Sequence, residues 1–252
     1  FEKTGSALDG HSLGNLVLAG LQEMEGSFDR SIEELSKLLN VRGRVLPATL
    51  EDVALVGEMT DASLIRDECN IAEASNKIVR MSLSKPRVQP YPKVLSAIDE
   101  ADVIVMGPGS LYTSIIPNLL VDEIATAIEK STASKLYVAN LMTQPGETDD
   151  FTLSQHLEEL GQYLNLESIH HILINSQPVP TEILERYQLE NSVPVVNDFA
   201  SDNPIYKKII EANVLDLVEM DGRETIKHHS QNLAQAIAKS VKQPVADRVQ
   251  SV

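Results

Sequence analysis

Residues 102–114 read DVIVMGPGSLYTS. Four apolar residues, Val103 to Met106, stop abruptly at Gly107-Pro108-Gly109, the composition of a strand buried on both faces and closed by a turn. Ser110, Tyr112, Thr113 and Ser114 then present four hydroxyls in five positions. In an open parallel sheet ligands lie beyond the carboxyl ends of the strands, so this turn is a candidate binding loop. Gly107 and Gly109 allow close backbone approach, and N–H groups at a helix start favour an anion. On this stretch alone, an ordinary glycine turn with a serine cap explains the residues equally well.

Outward from it, the chain alternates. YPKVLSAIDEA (91–101) predicts a helix before the strand. VDEIATAIEKS (121–131) predicts a helix, KLYVANLM (135–142) a strand, TLSQHLEELGQYL (152–164) a helix and IHHILINS (169–176) a strand. Further on, TEILERYQLE (181–190) reads as helix, VPVVND (193–198) as strand, PIYKKIIEAN (204–213) as helix and VLDLVEM (214–220) as strand. ETIKHHSQNLAQAIAKSVK (224–242) reads as a long closing helix. Such alternation with apolar strands predicts an α/β fold, a parallel sheet with helices on both faces.

Upstream, GHSLGNLVLAGLQEM (10–24) and SFDRSIEELSKLLN (27–40) carry helical periodicity, the second with Ser27 at its N-cap position. Between 44 and 83 the texture shifts to short alternating runs broken at Asp61-Ala62-Ser63, predicting three or four antiparallel strands as a small β-hairpin insertion. The expected organisation is an α/β domain over 1–43 and 84–240, a β-rich insertion over 44–83 and a polar tail over 241–252.

Composition bounds the function. The 252 residues, 42% of them hydrophobic, suffice for one principal domain. A net charge of -16 and a pI near 4.7 argue against a nucleic-acid partner. The single cysteine, Cys69, leaves no intramolecular disulfide framework, and with no signal peptide in view the expected compartment is the cytoplasm. No apolar run approaches the roughly 20 residues that span a bilayer.

Two further polar clusters join the first. Asn140, Thr143, Gln144, Glu147 and Thr148 surround the end of the 135–142 run, where only Pro145 and Gly146 are needed to turn. Amides and hydroxyls at two strand ends favour a shared polar-ligand site, although Glu147 could instead cap the next helix. His11, Ser12, Gly14 and Asn15 precede or open the first helix; His11 offers a phosphate contact, an acid–base group or simply a cap. Asp149 and Asp150 read first as caps. His170-His171 has no carboxylate at ligand spacing, so no metal site is expected there. Lys227 and His228-His229 are expected at the start of the closing helix. There is no Gly-x-Ser-x-Gly elbow, Walker A lysine or cysteine nucleophile motif.

In this order GHSLGNLVLAGL, RVLPAT, DVIVMGPGSLYTSIIPNLLV, NLMTQPGETDDFTLSQH and IKHHSQNLAQAI resemble the bacterial gluconeogenesis factor family, a branch of the superfamily that includes 2-phospho-L-lactate transferase. The likeness runs from Phe1 to about Ala238. It implies a Rossmann-like α/β nucleotide-binding domain with a β-hairpin excursion, a site for a nucleotide diphosphate or nucleotide sugar such as UDP-N-acetylglucosamine, and a regulatory role in cell shape and cell-wall synthesis during gluconeogenic growth. It also implies cell-wall or regulatory protein partners and is compatible with a homo-oligomer. Carried onto this chain, His11, Ser12, Gly14, Asn15, Gly107, Gly109, Ser110 and Thr113 line the phosphate side. Asn140, Thr143, Gln144 and Glu147 border the sugar or acceptor side.

Tyr187 matches a nucleotide-holding tyrosine, and Lys227 stands where the family commonly has arginine, which keeps the charge but loses the planar fork. The family's first strand, with its Gly-Gly-Gly-Thr-Gly turn, and an Asp-Asp-Gly-rich segment are not present before Phe1; the expectation is a full protein with roughly 80 further residues by usual βαβ lengths, the alternative a fragment with an incomplete site. The transferase branch has an acidic, arginine-containing segment where this chain has GHSLGN. That departure ranks binding above catalysis; the alternative is a phospho-group transferase using Mg²⁺.

Overall fold

The computed structural model describes residues 12–220 except 73 and 75, and residues 222–242. It opens with α1 (Leu13–Glu25) and α2 (Phe28–Leu38), followed by β1 (Leu55–Met59), β2 (Leu64–Arg66), α3 (Glu68–Ala72) and β3 (Ile78–Leu83). Next come α4 (Pro92–Asp99), β4 (Val103–Met106), a π-helical turn (Leu111–Ile115), α5 (Ile116–Leu119), α6 (Ile124–Lys130) and β5 (Ser134–Val138). The remainder is α7 (Leu153–Leu160), β6 (His171–Asn175), α8 (Thr181–Leu189), β7 (Ile209–Ala212), β8 (Leu215–Met220), β9 (Arg223–His228) and α9 (Ser230–Lys242).

β4, β5, β6 and β7 form a parallel sheet in that order. Side chains alternate across it as a pleated strand requires. Tyr137, Ile172 and Ile174 face one layer with Ile116, Leu119, Ile128, Leu153 and Leu157 of α5, α6 and α7. Leu136, Val138 and Leu173 face the other, with Ile183 of α8, Leu215 and Ile226 of the β8–β9 ribbon and Leu233 of α9. Both faces are covered, as the near-continuous apolar strands predict.

Three antiparallel strands, ordered β2-β1-β3, occupy 55–83, and the turn falls at Asp61-Ala62-Ser63, where Ser63 N–H donates to Asp61 Oδ1 at 3.0 Å. Their inner residues Met59, Ile78 and Met81 join the core that contains Ile116 and Leu157, so this sheet shares the main core. The Tyr163 hydroxyl, just beyond α7, accepts from Met81 N–H at 2.7 Å and fixes that junction.

Three expected elements differ. The 193–198 run is extended but makes only an isolated antiparallel bridge, Pro194 to Met142; proline cannot donate to a ladder. The fourth parallel strand is instead Ile209–Ala212, which the sequence reading placed in a helix. Asn203 caps only a short 3₁₀ turn, Pro204–Lys208, before the chain straightens. The third correction is at 223–228, which is strand rather than the first part of the closing helix. Two residues, Asp221 and Gly222, separate β8 from β9, and Gly222 has φ +74°. Asp-Gly between alternating runs favours a tight hairpin, and the helix starts only at Ser230. Among the described residues no single helix is long and apolar enough to cross a membrane.

Candidate functional site

The carboxyl ends of β4 and β5 lie side by side, with Met106 in register with Tyr137. Beyond them the chain turns twice. After β4, Gly107 takes φ +87°, and an added Cβ would stand 2.8 Å from the Val138 carbonyl oxygen. Glycine is therefore needed for close approach as well as for backbone angle. Ser110 then starts the helical turn: its Oγ accepts from Thr113 N–H at 3.1 Å, and its carbonyl accepts from Ser114 and Ile115 N–H.

After β5, Asn140 Nδ2 donates to Gln144 Oε1 at 3.1 Å, which presents the two amides together. Thr143, 2% exposed, anchors the 192–195 segment. Its N–H donates to the Val193 carbonyl, its hydroxyl accepts from Val193 N–H, and its carbonyl accepts from the Ser192 hydroxyl. That explains a threonine here without any ligand. Gly146, at φ +81°, sends its N–H to the Asp149 carboxylate, so Asp149 braces this turn. Helix α7 is instead capped by a reciprocal Thr152–Gln155 box, so neither Glu147 nor the Asp149-Asp150 pair is its cap.

A cavity of about 390 Å³ opens between these turns. Gly109 and Ser110 line it from β4, Asn140, Thr143 and Gln144 from β5, Tyr187 from α8 and Lys227 from β9. Residues distant in the sequence thus meet at the strand ends. The Tyr187 hydroxyl accepts from Ile226 N–H at 2.9 Å, tying α8 to β9 just before Lys227 and His228. Burial holds His228 below the ordinary histidine range, so it is neutral near pH 7. Replacing Tyr187 with phenylalanine leaves the Ile226 N–H without its partner. The expected loss is about 1–2 kcal/mol in urea unfolding, with weaker ligand binding because the Lys227 strand loses its tether.

Other expected members lie elsewhere. Ser12 caps α1 through its Oγ, which accepts from Asn15 N–H at 3.2 Å. Ser12, Gly14 and Asn15 are exposed on a helix that packs against α2, and none lines the cavity. His11 lies outside the described residues. Neither Gly107 nor Thr113 lines the cavity, although the Thr113 N–H and hydroxyl both donate to Oγ of the lining Ser110. Glu147, expected beside the amides, is 7% exposed with its carboxyl against the Ser110 and Thr113 hydroxyls. The sequence reading missed Glu190, Ser192 and His228 as lining residues. The Asp-Gly hairpin signal at 221–222 could have revealed His228, because it makes 223–228 a strand.

Comparison with known proteins agrees with this architecture. The family model of 2-phospho-L-lactate transferase CofD matches residues 1–215. A gluconeogenesis factor of Halalkalibacterium halodurans is 40% identical over 235 residues, 93% of this chain and 72% of the relative. A gluconeogenesis factor of Bacillus subtilis is 39% identical, covering 95% of this chain and 74% of the relative. A putative gluconeogenesis factor of Thermotoga maritima is 43% identical, covering 90% and 72%. The crystal structure of a UPF0052 family member from Bacillus halodurans superimposes with a TM-score of 0.84 at 41% identity, covering 92% of this chain and 74% of that one. A parallel sheet whose first two strand ends frame a polar cavity, matched by these relatives over most of its length, belongs to the 2-phospho-L-lactate transferase CofD family, among the members named gluconeogenesis factors.

Proposed function

We propose that this chain binds a nucleotide sugar of the UDP-N-acetylglucosamine kind and acts as a cytoplasmic regulator of cell shape and cell-wall synthesis during gluconeogenic growth. The observation that carries the reading is the cavity at the ends of β4 and β5. A glycine turn with Ser110 stands beside paired amides, and Lys227 is the one Lys or Arg among the described lining residues. A diphosphate needs positive charge and donors, a sugar needs amides and hydroxyls, and a base needs a flat apolar or aromatic surface such as the Tyr187 ring. The cavity brings all three together.

Binding is ranked above turnover because GHSLGN stands where the transferase branch carries an acidic, arginine-containing segment. Among the described residues no group of three or more His, Cys, Asp and Glu side chains is arranged to hold a metal ion.

Calorimetric titration with UDP-N-acetylglucosamine, UDP and GDP, each with and without Mg²⁺, tests the reading. Tight, metal-independent binding of the UDP sugar without conversion supports it. Guanine preference or metal-dependent consumption of the ligand replaces it with the transferase. Lys227→Ala is expected to weaken the UDP sugar by about 1.5–3 kcal/mol, the range for a charge-assisted bond, and to lessen the salt dependence of binding.

A further inference from the structure

The phosphate side of the cavity contains a charge that the nucleotide reading leaves unused. Glu147 stands behind Ser110, almost fully buried, with both carboxyl oxygens engaged. The Ser110 hydroxyl donates to Oε2, the Thr113 hydroxyl divides its one hydrogen between Ser110 Oγ at 2.7 Å and Oε1 at 3.2 Å, and Tyr112 N–H adds a backbone bond. Hydroxyls and N–H groups gathered on one turn form an anion-binding set, and here the set already holds an anion, the protein's own.

The charges around Glu147 oppose its ionisation. Burial raises the carboxyl above the ordinary glutamate range, the Ser110 and Thr113 bonds partly offset this, and the like charge of Glu68 on α3 raises it again. Among the described residues, the largest influences on it include no Lys or Arg. Asp149 is committed to Gly146 N–H, while Lys227, neutral His228 and Glu190 line the cavity from β9 and α8. A ligand phosphate set against Ser110 competes with a carboxylate for the same donors, and two anions sharing such a site do not both stay ionised.

Building on the nucleotide-sugar reading, we propose that Glu147 is a proton-linked gate on the phosphate side. A ligand diphosphate gains the Ser110 hydroxyl as Glu147 takes one proton from solvent and becomes a neutral acid. No covalent bond changes; the Ser110 hydroxyl donor passes from the carboxylate to the ligand. The expected signature is affinity that falls as pH rises through the titration of the free carboxyl, because the proton taken up on binding becomes scarcer.

UDP-N-acetylglucosamine is the suitable probe, since its diphosphate is substituted at both ends and has no titrating proton between about pH 5.5 and 8.5. The wild-type affinity should fall about tenfold per pH unit above the Glu147 titration. Calorimetry in buffers of different ionisation enthalpy should then count close to one proton taken up per ligand. Glu147→Gln, which keeps the shape and removes the charge, should bind at least as tightly at high pH, with a flat profile and no proton uptake. Wild-type binding without proton uptake overturns the gate and leaves the nucleotide reading standing. Uptake that persists in Glu147→Gln moves the proton elsewhere and also overturns it. No binding by either protein at any pH removes both proposals. The proton count needs only the wild-type protein, so it decides the matter even if the variant folds poorly.

Discussion

Gly107→Ala is expected to lower stability by about 2–3 kcal/mol in urea unfolding and to weaken UDP-sugar binding at least tenfold. The new Cβ meets two separate obstacles. A φ of +87° is strained for any residue with a side chain. Relaxing that strain in place is blocked, because the Cβ would lie 2.8 Å from the Val138 carbonyl oxygen and 3.4 Å from Ile115 Cδ1. Val138 is backbone in the parallel ladder, so relief requires the ends of β4 and β5 to part, which separates Ser110 from Asn140. Gly26 supplies the control: its φ is +67°, but nothing lies within 4 Å of a built Cβ. Gly26→Ala should cost about 1 kcal/mol and leave binding alone. Equal effects of the two substitutions on stability and binding would show that close approach at Gly107 does not organise the site.

The same contrast between local and distant causes explains what the sequence disclosed. The parallel sheet was legible because β4, β5 and β6 are apolar runs too short for ordinary helices and are separated by strongly periodic segments. The 209–212 strand was hidden because Ile205, Ile209 and Ile210 satisfy a helical spacing as well as an extended one; pairing with Ile172 and Leu173 decides between them. Ser110, Asn140 and Gln144 could be read as site residues because they follow directly on strand ends. Thr143 resembled them in composition, yet its polar groups dock the Val193 segment, a contact 50 residues away that no local pattern encodes. Glu147 shows the same limit. Local reading left it a choice between helix cap and sugar contact, whereas the fold carries it across to the hydroxyls of a turn 37 residues earlier.

Leu136→Ala is expected to cost about 3–4 kcal/mol, toward the upper part of the range for a buried leucine, because its site between the sheet and three other elements has little freedom to collapse. Leu136 is 0% exposed and packs in the layer with Ile183 of α8, Leu215 and Ile226 of the β8–β9 ribbon and Leu233 of α9. Ile226 directly precedes Lys227 and His228, so a void in this layer loosens the strand that brings the cation to the cavity. Leu157→Ala, equally buried in the layer on the opposite face, makes the informative comparison. Chemical denaturation should give the two variants similar losses, since each deletes the same atoms from a packed core. Calorimetry below the unfolding transition should separate them: Leu136→Ala binds the UDP sugar several-fold more weakly, and Leu157→Ala binds it as the wild type does. Equal weakening in both would mean that binding follows global stability. Weakening confined to Leu136→Ala would mean that the Leu136 layer sets the position of Lys227, and with it the charge proposed to meet the diphosphate.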